Sequence, residues 1–165
     1  MQLRLSLVLF FTSPAALVTA QSCPPVHIFG ARGTTVPQSQ GYDLLLPLGG
    51  QIIDNALCGG PDPNAGITSP SIPISASAAQ MVKAAIFMGD PRFEYGASYE
   101  IGTCRLGGFA ARPKGFVCSN GSKIQSYCDS PDPYCCQGNN ASAHGAYVNI
   151  YGQNAISFIE SKLNS

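Results

Sequence analysis

Charged side chains are scarce in this sequence: Lys, Arg, Asp and Glu make up 11% of its 165 residues, and nine cations balance nine anions to a net charge of zero. A soluble domain typically carries about 25% charged residues. Without a basic excess there is no electrostatic footprint for nucleic acid, so no nucleic-acid partner is expected. Long apolar runs are also missing, and nothing approaches the roughly 20 residues that span a bilayer. There is no internal repeat and no low-complexity tract. The low charge does not imply disorder, because hydrophobic residues reach 45% and aromatics 9%, enough to build a core.

What is plentiful is glycine (18), proline (13) and cysteine (7). That composition, at a length one domain accounts for, points to a small, loop-rich, disulfide-stapled protein. The amino terminus supplies a matching compartment. Arg4 precedes the apolar run Leu5 to Phe11, and Val18-Thr19-Ala20 is a small-residue end ahead of Gln21. Residues 1–20 therefore read as a secretory signal peptide cut after Ala20, too short for a membrane anchor and interrupted by Ser13-Pro14. A secreted, extracellular protein with no membrane partner is expected, with residues 21–165 as a single domain. Two glycosylation sequons, Asn120-Gly121-Ser122 and Asn140-Ala141-Ser142, fit that route.

Hydrophobic patterning outlines the elements. Pro25 to Ala31 and Lys83 to Met88 are short apolar runs that read as buried strands, the second stopped by Gly89-Asp90-Pro91. Apolar residues at 52, 53, 56 and 57 line one face of a helix over Gln51 to Leu57, and Tyr151, Ala155, Phe158, Ile159 and Leu163 place an amphipathic helix at the carboxyl end. Lys123 to Tyr127 reads as one more short strand, while 59–73 and 89–121 read as loops. Strands alternating with helices predict an α/β architecture.

The cysteines stand at 23, 58, 104, 118, 128, 135 and 136, an odd number that leaves one over in any intramolecular pairing. Zinc is a poor alternative at Cys128, Cys135 and Cys136, because adjacent thiolates suit a tetrahedral site badly and neither histidine has ligand spacing to them. No metal and no cofactor are expected.

The strings GGQIIDNALCGG, MVKAAIFMGDPRF, SYEIGTC, GGFAARPKGFVC, KIQSYCDSPDPYCC and AHGAYVNIYG, with SCPPVHIFGARGTT before them, resemble fungal acetylxylan esterases of the cutinase-like carbohydrate esterase family. The resemblance covers residues 22–35 and 49–163. It implies a small α/β-hydrolase fold, a parallel sheet flanked by helices, with a Ser…Asp…His triad in that chain order. It places the triad aspartate at Asp132 and the general base at His144, and one oxyanion-hole residue at Thr34. It pairs Cys58 with Cys118, Cys104 with Cys136 and Cys128 with Cys135, which leaves Cys23 alone. The chemistry agrees, since a histidine that takes a proton from a nucleophile needs a carboxylate on its other ring nitrogen. His27, inside the first strand, reads as structural.

One departure bears on activity. The family carries Gly-x-Ser-x-Gly just before the string that begins here at Gly49-Gly50, whereas this chain reads Leu45-Leu46-Pro47-Leu48-Gly49. Pro47 stands in the nucleophile's place and Leu48 in that of the second oxyanion donor. Only 13 residues separate Thr35 from Gly49, where the family has several dozen. An internal deletion falling between about 36 and 48 is therefore expected, leaving an incomplete sheet and an inactive chain. The gene reads as that of a secreted serine esterase that deacetylates xylan, with an acetylated polysaccharide as substrate and a monomer as the working form. The alternatives are a cutinase-type esterase and a non-catalytic relative that binds polysaccharide or protein.

Overall fold

The computed structural model describes residues 47–165. The expected leader, the strand over 25–31, and Cys23, His27 and Thr34 lie outside the described residues. The first helix, α1, runs Pro47–Cys58 and so starts four residues before the periodic stretch. Proline suits a first helical position, since its φ is already helical and its missing N–H is one the helix would leave unpaired. Gly59, at φ 82°, ends α1 in the left-handed conformation, which spares any side chain the steric penalty.

After a proline-rich loop, α2 (Ala76–Met81) is capped by Ser75, whose hydroxyl accepts from the N–H of Ala78 at 3.2 Å. The strands β1 (Ala85–Met88), β2 (Glu100–Ile101) and β3 (Ile124–Tyr127) form one parallel sheet in the order β1-β3-β2. Ala85 pairs with Ile124 and Met88 with Tyr127, while Glu100 and Ile101 lie beside Ser126 and Tyr127. The four-residue α3 (Ala141–His144) and the terminal α4 (Tyr147–Leu163) close the chain.

Strands β1 and β3 are buried on both faces, as a parallel sheet between helices requires. Ala85, Phe87 and Ile124 pack toward Leu57 and the Cys58–Cys118 bridge on the α1 side. Met88 and Tyr127 face the other way, onto Tyr147 and Ala155 of α4. Phe87 is 1% exposed and Ile124 2%; burying such a side chain contributes about 1.5–3 kcal/mol. The α/β expectation therefore holds, with both helical layers supplied by the segments whose apolar period is clearest.

The loop reading of 89–121 is incomplete, because it contains β2. Two residues are too few to show a period, and the strand exists through its ladder: Ser126 N–H donates to Tyr99 O at 2.8 Å and Cys128 N–H to Ile101 O at 2.9 Å. The short helices α2 and α3 also lie in stretches that show no apolar period.

Candidate active site

Asp132 sits at the centre of the loop between β3 and α3, wholly buried. Two adjacent cysteines fix that loop to different anchors: Cys135 bridges to Cys128 at the end of β3, and Cys136 to Cys104 just past β2. The Asp132 carboxylate is saturated. Its Oδ1 accepts from the N–H groups of Tyr134 at 2.7 Å and Cys135 at 3.3 Å. Its Oδ2 meets His144 Nδ1 at 2.7 Å and accepts from the Tyr147 hydroxyl at 2.9 Å. Burial alone would raise this carboxyl, but the bonds from His144, Tyr134 N–H and Tyr147 outweigh it and hold its pKa below the ordinary range.

His144 ends α3 and is 7% exposed. One edge of its ring rests on Gly89, where a Cβ would fall 2.5 Å from Cε1 and 2.7 Å from Nδ1, so no other residue fits there. Gly89 also has φ 69°, a second reason for glycine at the end of β1. The ring of Tyr134 meets the imidazole edge-on at 4.7 Å between centroids. With Nδ1 committed to Asp132, the other nitrogen, Nε2, is buried and has no hydrogen-bond partner among the described residues. A buried polar atom without a partner is costly, and sites that keep one commonly use it.

Tyr147, the first residue of α4, holds the carboxylate in place. Its hydroxyl donates to Asp132 Oδ2 and accepts from the Asp129 N–H at 2.9 Å. Burial pushes its phenol well above the ordinary value, so it acts only as a neutral hydrogen-bonding group. Nothing in the sequence marks it except its place in the apolar stripe with Tyr151 and Ala155.

The amino end of α1 approaches the same region: a Cβ on Gly50 would lie 3.3 Å from Cβ of Asp90, which follows Gly89 in the chain. Under this turn lies a polar cluster that sequence patterning does not show. Arg112 grips Asp54 with Nε to Oδ2 at 3.2 Å and Nη2 to Oδ1 at 3.0 Å, and its Nη1 donates to Gly59 O at 2.7 Å. All three of Asp54, Asp90 and Arg112 are buried. Burial, and then the neighbouring Asp54 charge, push the Asp90 carboxyl far above its ordinary value, and burial raises Asp54 as well, against the pull of Arg112.

The sulfurs of Cys104, Cys128 and Cys136 lie within 4.8 Å of one another. All three are consumed in disulfides and offer no thiolate to a metal. The Cys58–Cys118 bridge ties the end of α1 to the segment before β3. Pro47 and Leu48, expected at the places of the nucleophile and the second oxyanion donor, open α1.

Residues 40–163 match the family described as Cutinase. The chain belongs to the cutinase family. Cutinase 11 of Verticillium dahliae is 42% identical over 215 residues, covering 92% of this chain and 73% of that protein. Acetylxylan esterase 2 of Talaromyces purpureogenus is 58% identical over 115 residues, 70% of this chain and 49% of the relative. A solved acetylxylan esterase at 0.90 Å resolution superposes with a TM-score of 0.70 at 53% identity, covering 76% of this chain and 63% of that one. This cutinase-family chain thus has the fold of the acetylxylan esterases, while it spans about half the length of the esterase it matches from Talaromyces.

Proposed function

We propose that this cutinase-family chain derives from a secreted carboxylic-ester hydrolase that removes acetyl groups from xylan, and that as written it is inactive for want of its nucleophile. The observation that carries the reading is the asymmetry of His144: Nδ1 is bonded to a buried carboxylate while Nε2 is left without a partner. In an ester hydrolase of this kind, a serine hydroxyl attacks the acetyl carbonyl as Nε2 takes its proton. Collapse of the tetrahedral intermediate returns that proton to the departing sugar oxygen and leaves an acetyl-enzyme, which water hydrolyses by the same route. Asp132 fixes the tautomer and stabilises the imidazolium. Thr34 would supply one oxyanion donor.

Three facts support an internal gap as the cause of inactivity. No Gly-x-Ser-x-Gly occurs anywhere in the sequence. The alignment with the Verticillium protein runs over 215 residues, longer than this whole chain of 165, so part of the relative has no counterpart here. The six cysteines after Cys23 pair among the described residues, which makes Cys23 the odd one of seven. We read the gap as a mis-called or alternative intron, lying near the start of the residues, 40–163, that the family model matches.

The test compares the 165-residue chain with the product of the full-length transcript on a small acetyl ester and on acetylated xylan. The short chain is expected to show no turnover above background and no labelling by a serine-directed phosphonate, and the long one both. Phosphonate labelling of the short chain would overturn the inactive reading. A genome with no coding sequence between the two matched segments would remove the splicing account. The Verticillium alignment, which covers most of both chains, favours a second reading in which the ester is cutin-like. Relative rates of the long form on acetyl and longer acyl esters decide between them.

A further inference from the structure

The two sequons sit in opposite environments. Asn120 is half-buried, and its Nδ2, the atom that an N-linked sugar would occupy, donates to Leu57 O at 2.7 Å. Leu57 is in the last turn of α1, whose carbonyls have no partner within the helix, so this bond is a cap on the helix end. The neighbouring residues are equally fixed: Cys118 is bridged to Cys58, the last residue of α1, and Gly121 is buried. Asn140 is exposed, as are Ala141 and Ser142 of its sequon. It uses its oxygen, not its nitrogen: Oδ1 accepts from the Ser142 N–H at 3.1 Å and caps α3, while Nδ2 makes no hydrogen bond to the described residues. A sugar on Nδ2 leaves that cap intact, because Oδ1 keeps its lone pairs.

We propose that Asn140 is the glycosylated sequon of this protein and that Asn120 is not modified, its amide being claimed by the end of α1 and the Cys58–Cys118 bridge. The glycan would leave the surface at the start of the short helix that ends in His144, and so stand at the rim of the Asp132–His144 pair. The inference rests on the secretory reading of residues 1–20.

The test is site occupancy, measured by glycopeptide mass spectrometry on protein from a yeast secretory host, taken from medium and membranes alike. Two forms are made: the full chain with its own first twenty residues, and residues 21–165 behind the host's leader. Each is expected to carry one glycan chain, on the Asn140 peptide. N140D, which keeps the capping oxygen, loses all endoglycosidase-sensitive mass, and N120D loses none. In C58S, where the bridge cannot form, Asn120 gains occupancy while Asn140 is unchanged. Sugar on Asn120 of the unmutated chain, or a bare Asn140 in the host-leader form, would overturn the proposal. Glycan on Asn140 in the host-leader form alone would sink the native signal peptide, and the secretory premise with it, while the selection of Asn140 over Asn120 stands.

Discussion

The Tyr147 hydroxyl donates to Asp132 on Oδ2, the same oxygen that meets His144 Nδ1. Two donors on one oxygen, with two backbone N–H groups on the other, keep the carboxylate ionised in a site without water contact. The first residue of the last helix thus adds to the bonds from His144 and Tyr134 N–H that keep a loop carboxyl fifteen positions earlier below its ordinary pKa.

Replacing Tyr147 by Phe should weaken the pair from the acid side. Asp132 is held below its ordinary pKa, so its contribution to stability is present at neutral pH and lost as pH falls through the depressed folded value. Removing one donor raises that value, and acid unfolding of Y147F should begin at a higher pH, with a loss near neutrality of about 1–3 kcal/mol for a buried hydrogen bond to a charged group. Acid titrations followed by circular dichroism read both, and coincident acid limbs for the two proteins would refute the assignment.

Glu100 predicts the opposite sign. Burial pushes its carboxyl up to about 7 from an ordinary 4.5, even though the N–H groups of Glu94 and Ala97 donate to it. The folded protein keeps a proton that the unfolded chain releases, so this contribution is full below about pH 4.5 and declines as pH rises toward 7. Urea midpoints should fall over that interval, and E100Q should flatten the fall. An unchanged slope in E100Q would assign the effect to another group.

Arg112→Ala should be among the most damaging single changes. It strips the partner from the buried Asp54 carboxylate and from Gly59 O; breaking a buried ion pair from one side costs about 3–5 kcal/mol. Adding Asp54→Asn should recover part of the loss, since no uncompensated charge then remains. Strictly additive penalties in the double-mutant cycle would contradict the pairing.

Gly89→Ala tests the fit of the imidazole. The new methyl group falls 2.5 Å from Cε1 of His144 at a backbone φ of 69°, so His144 must move off Asp132 or the end of β1 must shift. The downfield proton resonance of an Nδ1–H bonded to a carboxylate should vanish in G89A and persist in a control such as G66A, where a Cβ meets nothing within 4 Å. G66A shares the left-handed backbone, so a resonance lost in both would trace to backbone strain instead.

The sequence makes the scaffold legible where burial leaves a period. α1, β1, β3 and α4 all lie under apolar repeats, and the ends read from those repeats miss by up to four residues, most at the helix starts Pro47 and Tyr147, where a first turn precedes the clearest part of the stripe. Asp132 and His144 stand out by their family strings, and their contact at 2.7 Å is a geometric fact no periodicity could supply. The Asp54, Asp90 and Arg112 cluster leaves no trace in the sequence. Its members lie up to 58 positions apart and look like ordinary surface charges until the fold buries them.

The loop that presents Asp132 is cross-linked at two neighbouring cysteines, one strand end to each, in addition to its backbone bonds from Gly138 N–H to Asp132 O and from Asn140 N–H to Pro131 O. A thiol reductant that opened either bridge would remove one covalent tether from this loop, while the hydrogen bonds of Asp132 and the pairing of β1 with β3 do not depend on sulfur. The placing of the Asp132 loop is in this sense tied to redox state, since such bridges persist in oxidising surroundings.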